Sequence, residues 1–191
     1  GNGVKDFVAV TLGTGVGSGI IIDGKIIRGK NFCGGEMGHM VINVGGIQCN
    51  CGRKGCWEKY ASATALVSQA IEAMQADKDS LLWKTCDGDL NKVEGKTIFD
   101  ALDLGDKTAQ DVVDRYLYYV SIGITNIVNT FQPDIICVGG GISAQGEKIL
   151  RTIRSHVNAE HYSIHSNTQT KILPAVLGND AGIIGSALLN E

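Results

Sequence analysis

One histidine and three cysteines lie close together in the sequence, at His39, Cys49, Cys51 and Cys56. An imidazole and three thiolates are the ligand types, and the ligand number, of a closed tetrahedral zinc site. Two glycines between the second and third cysteines allow the sharp turn that brings the thiolates onto one metal. We therefore predict a zinc knuckle over residues 39–56, with a structural metal because no coordination position is left open.

Two other interpretations of these cysteines are weaker. Reduced cysteines are often buried as small apolar side chains, and a single histidine is more often a core residue than a ligand. However, the run Cys49, Asn50, Cys51, Gly52 has no apolar face to present to a core. A disulfide between Cys49 and Cys51 would strain the backbone, and three cysteines cannot all pair among themselves. These residues favour zinc.

Length and composition indicate an ordered globular protein. The 191 residues are 43% hydrophobic and 19% charged, with two prolines, which is enough apolar sequence to bury a sizeable core. The net charge of −3, without a run of Lys or Arg, argues against nucleic acid binding through this part of the chain. Six cysteines, three of them in the knuckle, favour a reducing, cytoplasmic environment. No apolar stretch approaches the roughly 20 residues that a membrane span needs.

The sequence ahead of the knuckle predicts three strands joined by glycine-containing turns. Apolar, β-branched runs predict strands over residues 6–12, 18–23 and 25–29. The first turn, called the glycine turn below, consists of Gly13, Thr14, Gly15, Val16 and Gly17. Glycine at a strand end leaves backbone N–H groups available to an anion, but a plain hairpin accepts glycine equally well. From the residues alone, phosphate binding and an ordinary hairpin both stay open.

Helical periodicity dominates the middle of the chain. Apolar residues spaced by three and four predict helices over residues 63–74, 98–104 and 108–131. Ser62 is the expected N-cap of the first helix and Thr97 that of the second. Residues 77–96 are polar and lack a clear period, which indicates a surface connection or a mobile excursion that Trp83 could anchor.

The last third predicts a strand, a glycine run and a helix in succession. Residues 134–138 form a uniformly apolar strand of the kind buried on both faces of a sheet. The glycine run, Gly139, Gly140 and Gly141, leads into a helix that begins near Ser143. This order produces a pocket at the carboxyl end of a sheet, where a nucleotide is more credible than in a hairpin.

The later histidines and the carboxyl-terminal elements give little indication of a functional site. The three histidines after the knuckle lack the spacing of a metal-binding helix, and we expect them on the surface; they are His156, His161 and His165. A strand is expected over residues 171–176, interrupted by Pro174, and a final helix over residues 181–189, capped by Asp180.

Four stretches resemble the family of repressors, open reading frames and sugar kinases called the ROK family, and within it the bacterial glucokinase-like members. The stretches are LGTGVGSGIIIDGKIIRG, GEMGH, CNCGRKGCWE and VGGGIS. In that family a histidine, nine residues and then Cys-x-Cys-Gly-x-x-Gly-Cys-x-Glu form a signature, and His39 stands at that distance before Cys49. The resemblance covers essentially the whole chain.

The resemblance implies an actin-like, ribonuclease H-like α/β fold of two domains. Residues 1–191 match the larger, carboxyl-terminal domain; they begin with Gly1 instead of Met, and the family's first domain is expected to precede them. By the same resemblance, hydroxyls of a sugar are held by Glu36, His39 and Glu58, and the zinc ligands are His39, Cys49, Cys51 and Cys56. The family's phosphate and adenosine contacts match Gly13, Thr14, Gly15, Gly17, Gly139, Gly140 and Gly141.

The activity implied is transfer of the γ-phosphoryl group of ATP, with Mg²⁺, to a hexose, with glucose 6-phosphate as the expected product and a homodimer as the expected assembly. In the family, the catalytic base is an aspartate that follows an asparagine in the first domain. Asn179 and Asp180 are therefore not proposed as catalytic residues, and residues 1–191 alone are expected to be inactive. A sugar-sensing domain of a ROK repressor is the alternative. A zinc-stabilised interaction module is a third, weaker possibility.

Overall fold

The described residues, 3–178 and Ala181 in this computed structural model, contain one mixed five-stranded sheet with the order β3-β2-β1-β4-β5. The strands are β1 (Phe7–Leu12), β2 (Val16–Ile22), β3 (Lys25–Ile26), β4 (Ile135–Gly139) and β5 (Lys171–Pro174). β2 is antiparallel to β1 and β3, whereas β4 is parallel to β1 and β5. The carboxyl ends of β1 and β4 therefore lie side by side at one edge of the sheet.

Six α-helices and three short 3-10 helices accompany this sheet in the described part of the chain. The α-helices are α1 (Glu58–Ala61), α2 (Ala63–Ala76), α3 (Leu82–Thr85), α4 (Gly95–Asp103), α5 (Lys107–Phe131) and α6 (Glu147–Glu160). The 3-10 helices are Met37–His39, Leu90–Lys92 and Gly141–Gln145. None of the described helices combines the length and the apolar character that crossing a bilayer demands.

The two faces of the sheet differ in burial. On β1, Val8, Val10 and Leu12 are fully buried in the core, and the alternate residues point to the opposite, less buried face. β4 was predicted to be buried on both faces, but Ile135 and Cys137 are only half-buried. One face of the sheet thus builds the core, and the other remains accessible beside the glycine run.

An exposed loop follows β3, which is shorter than the predicted strand over residues 25–29. Residues 28–34 form this loop, and the N–H of Gly34 donates to the carbonyl of Arg28 over 3.0 Å, closing the loop at its base. The chain then enters the 3-10 helix Met37–His39.

The helix predictions are confirmed where the apolar period is long. α2 and α5 lie where the sequence placed them, and the Ser62 hydroxyl caps α2 by accepting from the N–H of Ala65 over 3.0 Å. The expected cap of the next helix was wrong: α4 begins at Gly95 after Glu94, and the Thr97 hydroxyl accepts from the Glu94 N–H over 3.0 Å. Thr97 is therefore the N3 residue of a capping box, and the helix begins three residues earlier than predicted.

The prediction of a surface connection or mobile excursion over residues 77–96 was wrong. This segment contains α3 and a 3-10 helix, and it buries Leu82, Cys86 and Val93 in the core. Trp83 anchors it as expected, because its indole N–H donates to the carbonyls of Met74 and Asp77, each over 3.0 Å. Such short helices bury single residues instead of a periodic stripe, which hides them from a pattern search.

Asp106 joins this segment to α5. Its carboxylate caps α5 by accepting from the N–H of Ala109 over 2.6 Å, and it also accepts from the N–H of Leu81 over 2.7 Å and the hydroxyl of Ser80 over 3.0 Å. We expect Asp106→Ala to lower the free energy of unfolding by about 2–3 kcal/mol, because three donors lose their acceptor. Chemical denaturation measures the loss. Asp106→Asn, which keeps one acceptor oxygen, should lose less, and equal losses would contradict this account.

Two predictions near the carboxyl end need correction, and a third is not tested. α6 begins at Glu147, because the 3-10 helix Gly141–Gln145 occupies the predicted start near Ser143. β5 ends at Pro174, which cannot donate to a further strand pair. Asn179, Asp180 and the final helix predicted from residue 181 lie outside the described residues, apart from Ala181.

The three later histidines have different surroundings, so the surface prediction holds only in part. His161 is buried, with 5% of its surface exposed, and its Nδ1 lies 3.2 Å from the hydroxyl of Ser163. His156 is half-buried and packs edge-on against the ring of Tyr118. His165 is exposed as expected.

Candidate functional site

The side chains of His39, Cys49, Cys51 and Cys56 converge, and we call them the Cys/His cluster. One ligand atom from each lies within 4.8 Å of the others. The Sγ atoms of Cys51 and Cys56 are 3.6 Å apart, and Cys49 Sγ is 3.6 Å from His39 Nδ1. Bonds of about 2.3 Å to sulfur and 2.0 Å to nitrogen separate the ligands of a tetrahedral zinc ion by about 3.5–3.8 Å. Both 3.6 Å separations match the ligand spacing of zinc. All six cysteines lie among the described residues, and each is free of a disulfide there.

Tight backbone contacts fold the loop that carries the three cysteines. The N–H of Cys49 donates to the carbonyl of Arg53 over 2.8 Å, and isolated strand-like pairs join Val41 to Cys56 and Gln48 to Lys54. Gly55 has φ +81°, and a Cβ there would lie 1.7 Å from the carbonyl oxygen of Asn43. The turn thus needs glycine at this position, as its place between the cysteines indicated.

The cysteines of the cluster differ in exposure and in acidity. Cys49 and Cys56 are buried, whereas Cys51 is exposed. Burial, reinforced by the neighbouring thiols, raises the pKa of Cys56 to about 12. The backbone N–H of Arg53 lowers the pKa of Cys51. A buried thiol among other thiols becomes a thiolate when a cation binds to it, which is the chemistry of a metal ligand.

Two aromatic residues that sequence reasoning missed hold the cluster against the core. Trp57 is fully buried; its backbone N–H donates to Met40 over 2.7 Å, and its indole N–H donates to the carbonyl of Tyr119 on α5 over 2.8 Å. The hydroxyl of Tyr60 accepts from the N–H of Ile47 over 2.8 Å. The sequence did indicate them by their positions beside Cys56 and Glu58. Large aromatic side chains in such a polar stretch are expected to be buried in the core.

Glu58 lies against the glycine turn. It is the first residue of α1 and half-buried, and its Oε2 accepts from the backbone N–H of Val16 over 3.0 Å. A Cβ placed on Gly15 would lie 2.1 Å from the same oxygen. The carboxylate is therefore held where β2 begins, 42 residues away in sequence.

The segment that carries Glu36 and His39 also packs against Val16. Glu36 is exposed and immediately precedes the 3-10 helix Met37–His39. A Cβ on Gly38 would lie 2.2 Å from the carbonyl oxygen of Val16, so this helix packs directly on the start of β2. The segments that carry Glu36, His39 and Glu58 thus meet at Val16.

The glycine turn uses part of its backbone internally. The N–H of Gly13 donates to Gly15 over 3.0 Å, and the N–H of Val16 is taken by Glu58. The carbonyl of Gly13 accepts from the N–H of Ala63, and that of Thr14 accepts from the hydroxyl of Thr64. Within this turn, only the N–H groups of Thr14 and Gly15 are therefore available to an anion, fewer than the sequence led us to expect.

The glycine run after β4 lies next to the glycine turn. Gly139 pairs with Thr11, and a Cβ on Gly140 would lie 2.3 Å from the carbonyl oxygen of Leu12. A mainly apolar cavity of about 460 Å³ opens on the accessible face of the sheet beside them. Its lining includes Phe7, Ala9, Thr11, Gly139, Gly140 and Gly141.

The chain is similar to known proteins in both sequence and structure. Residues 1–191 match the model of the ROK family. A glucokinase from Halalkalibacterium halodurans is 41% identical over 192 residues, which cover 99% of this chain and 57% of that protein. A xylose repressor from Bacillus spizizenii is 33% identical over 181 residues, covering 95% of this chain and 43% of that protein.

Solved structures agree with the sequence comparison. The crystal structure of a ROK family glucokinase from Streptomyces griseus, in complex with glucose and AMPPNP, matches with a TM-score of 0.88 and 35% identity, covering 98% of this chain and 61% of that one. The chain thus spans about three fifths of the length of the glucokinases that it matches. The match to the family over every residue, together with this structural likeness, establishes that the chain belongs to the ROK family.

Proposed function

We propose that this chain is the carboxyl-terminal domain of a hexose kinase that transfers the γ-phosphoryl group of ATP, entering with Mg²⁺, to glucose and gives glucose 6-phosphate for glycolysis. The observation that carries the proposal is the meeting of three segments at Val16: the expected sugar carboxylate Glu58 directly contacts the turn expected to hold phosphate. A sugar kinase needs its two substrates next to each other. The glucokinase from Streptomyces griseus, a structural relative, contains glucose and AMPPNP together.

In this proposal the hexose is held by Glu36, His39 and Glu58. Carboxylates accept strong, directional hydrogen bonds from sugar hydroxyls. His39 Nδ1 faces Cys49 Sγ, which leaves Nε2 on the far side of the ring for a hydroxyl. Glu58 has Oε2 engaged by Val16, so Oε1 is the atom that it offers to the sugar.

The Cys/His cluster supports this hexose site as a structural zinc centre. Its ligands would be His39, Cys49, Cys51 and Cys56, and four protein ligands leave no position for water or substrate. When bound, zinc supplies a rigid cross-link between the segments that carry the two carboxylates. The role of the protein side chains is to orient the sugar, and the metal takes no part in the chemistry.

The nucleotide is proposed to lie along the carboxyl ends of β1 and β4. The phosphates would be held at Gly13, Thr14, Gly15 and Gly17, where the N–H groups of Thr14 and Gly15 are the available donors. The adenosine would lie at Gly139, Gly140 and Gly141, which line the cavity of about 460 Å³. The glycine run is close enough to the glycine turn for one nucleotide to span both.

The rest of the molecule follows from the family proposal. Three consecutive antiparallel strands, extended by two parallel ones, support the expected actin-like, ribonuclease H-like class. The amino-terminal domain, with the catalytic aspartate, would precede residue 1. We further propose a cytoplasmic homodimer. Residues 1–191 alone, mixed with glucose and Mg·ATP, should form no sugar phosphate above background, and clear turnover would contradict the two-domain proposal.

Glu58→Gln tests the proposed hexose site in the full-length protein. We expect kcat/KM for glucose to fall about 100-fold, because the charged acceptor is lost while the size is kept. The KM for ATP should change by less than about threefold in the same assay. Glu72→Gln, an exposed carboxylate on α2, is the matched control and should behave as wild type. Unchanged glucose kinetics in Glu58→Gln would remove Glu58 from the site.

A sugar-sensing domain of a transcriptional repressor is the second candidate, because the xylose repressor from Bacillus spizizenii is 33% identical. A sensor also binds sugar, so the hexose site does not separate the two functions. The sequence ahead of residue 1 does: an Asp-x-Gly-Gly-Thr start indicates a kinase, and a basic helix-turn-helix region indicates a repressor. Calorimetric titration of the full-length protein with a panel of hexoses would then identify the sugar.

A further inference from the structure

We infer that Gly15 positions Glu58 for the hexose, in addition to any contact that its N–H makes with phosphate. The inference rests on the proposed function, in which Glu58 binds the sugar. On this inference, position 15 lacks a side chain because the sugar-binding carboxylate needs the space, although Gly15 belongs to the turn expected to bind the nucleotide. Gly15 is thus a positioning residue, acting through Glu58.

The space beside Gly15 is filled by the Glu58 carboxylate. A Cβ on Gly15 would lie 2.1 Å from Oε2, 3.1 Å from Cδ and 3.8 Å from Cγ of Glu58. The φ angle of Gly15 is outside the left-handed region, so the backbone itself would accept alanine. The requirement for glycine at this position therefore comes from the neighbouring side chain and not from backbone conformation.

A methyl group added at position 15 would displace the carboxylate from its present place, because Oε2 is the flexible end of the Glu58 side chain. Its Oε2 accepts from the N–H of Val16 over 3.0 Å, the residue that follows Gly15. The start of α2 also holds the turn, because Ala63 N–H donates to the Gly13 carbonyl over 2.8 Å and the Thr64 hydroxyl donates to the Thr14 carbonyl over 2.9 Å. Since α1 directly precedes α2, whose start is tied to the turn, the backbone of Glu58 is held in place. The Glu58 side chain must therefore turn away from Val16 to clear a methyl group at position 15.

A matched control is available at Gly19, on β2. A Cβ on Gly19 would have no atom within 4 Å, and the φ angle of Gly19 is also outside the left-handed region. Gly19→Ala and Gly15→Ala thus make the same chemical change four residues apart, and only the second meets Glu58. Any general effect of adding a methyl group to this hairpin should appear in both variants.

Calorimetric titration of the full-length protein with glucose, without nucleotide, tests the inference. We expect Gly15→Ala to weaken glucose binding by about tenfold or more, and Gly19→Ala to change it by less than about twofold. Wild-type glucose affinity in Gly15→Ala would overturn the inference and leave the proposed function intact. If the wild-type protein bound no hexose, the proposed function itself would fail, and the inference would fail with it.

A double-mutant cycle with Glu58→Ala separates a positioning role from a general structural one. Glu58→Ala removes Cγ, Cδ and Oε2, the atoms that a methyl group at position 15 would meet. Adding Gly15→Ala to Glu58→Ala should therefore lower neither the glucose affinity nor the Tm any further. If Gly15→Ala alone does not fold, recovery of folded protein in the double variant supports the inference. A double variant that stays unfolded, or that loses further affinity, overturns it.

Discussion

Replacement of Cys56 by serine is expected to abolish stoichiometric zinc binding and to weaken glucose binding by about 100-fold in the full-length protein. Cys56 is fully buried, 3.6 Å from the Sγ of Cys51, and immediately precedes Trp57. Losing one of four ligands opens the coordination shell, and a serine hydroxyl is a poor substitute for a thiolate. Because the cross-link between the segments carrying Glu36 and Glu58 is lost with the metal, the hexose site should lose its geometry.

Cys86→Ser is the matched control for this experiment. Cys86 is as buried as Cys56, with 1% of its surface exposed, and its Sγ donates to the carbonyl of Trp83, which a serine hydroxyl can also do. Metal content by mass spectrometry should therefore equal that of wild type. Full zinc content in Cys56→Ser, or equal zinc loss in both variants, would contradict the assignment of the Cys/His cluster.

Trp57→Ala should lower the free energy of unfolding by about 3–5 kcal/mol, because a fully buried aromatic side chain leaves a large cavity. The indole ring occupies a notch on α5: a Cβ on Gly123 would lie 1.9 Å from the Cε2 of Trp57. Its N–H also donates to the carbonyl of Tyr119, one turn earlier on the same helix. Since Cys56 and Glu58 flank Trp57 in the chain, we expect zinc content and glucose affinity to fall as well.

Trp83→Ala provides the comparison for this second variant. Trp83 is half-buried and donates to Met74 and Asp77, in a segment that contains none of the proposed ligands. Denaturation should show a loss of stability in Trp83→Ala, while the folded protein keeps its zinc and its glucose affinity. Wild-type stability in Trp57→Ala, or equal loss of glucose affinity in the two variants, would contradict the role assigned to Trp57.

Several predictions that came from local pattern were confirmed. The long apolar period of α5, the Ser62 cap of α2 and the apolar run of β1 each depend on residues within one element. The convergence of the four side chains of the Cys/His cluster could also be expected, because the three cysteines lie within eight positions and the chain must turn between them. Such features are determined by neighbours in sequence, and a single sequence contains them.

Features that depend on distant partners could not be predicted in the same way. The hydrogen bond between Glu58 and Val16 joins residues 42 apart, and the sequence around neither residue indicates it. The burial of His161 depends on packing around α6, and its spacing from the other histidines suggested only surface. The role of Gly123 is set by a tryptophan on another element. In each case tertiary packing selects the position, and periodicity does not reveal it.

The exposed loop after β3 has a consequence for length variation among homologous chains. Its ends are joined by the hydrogen bond from Gly34 to Arg28, and the segment between them projects into solvent, with Phe32 77% exposed. Insertions beside Phe32 would lengthen the projection without shifting Met37–His39, which packs on Val16 through Gly38. This loop is therefore a place where new recognition surfaces can evolve while the packing of Met37–His39 on Val16 is kept.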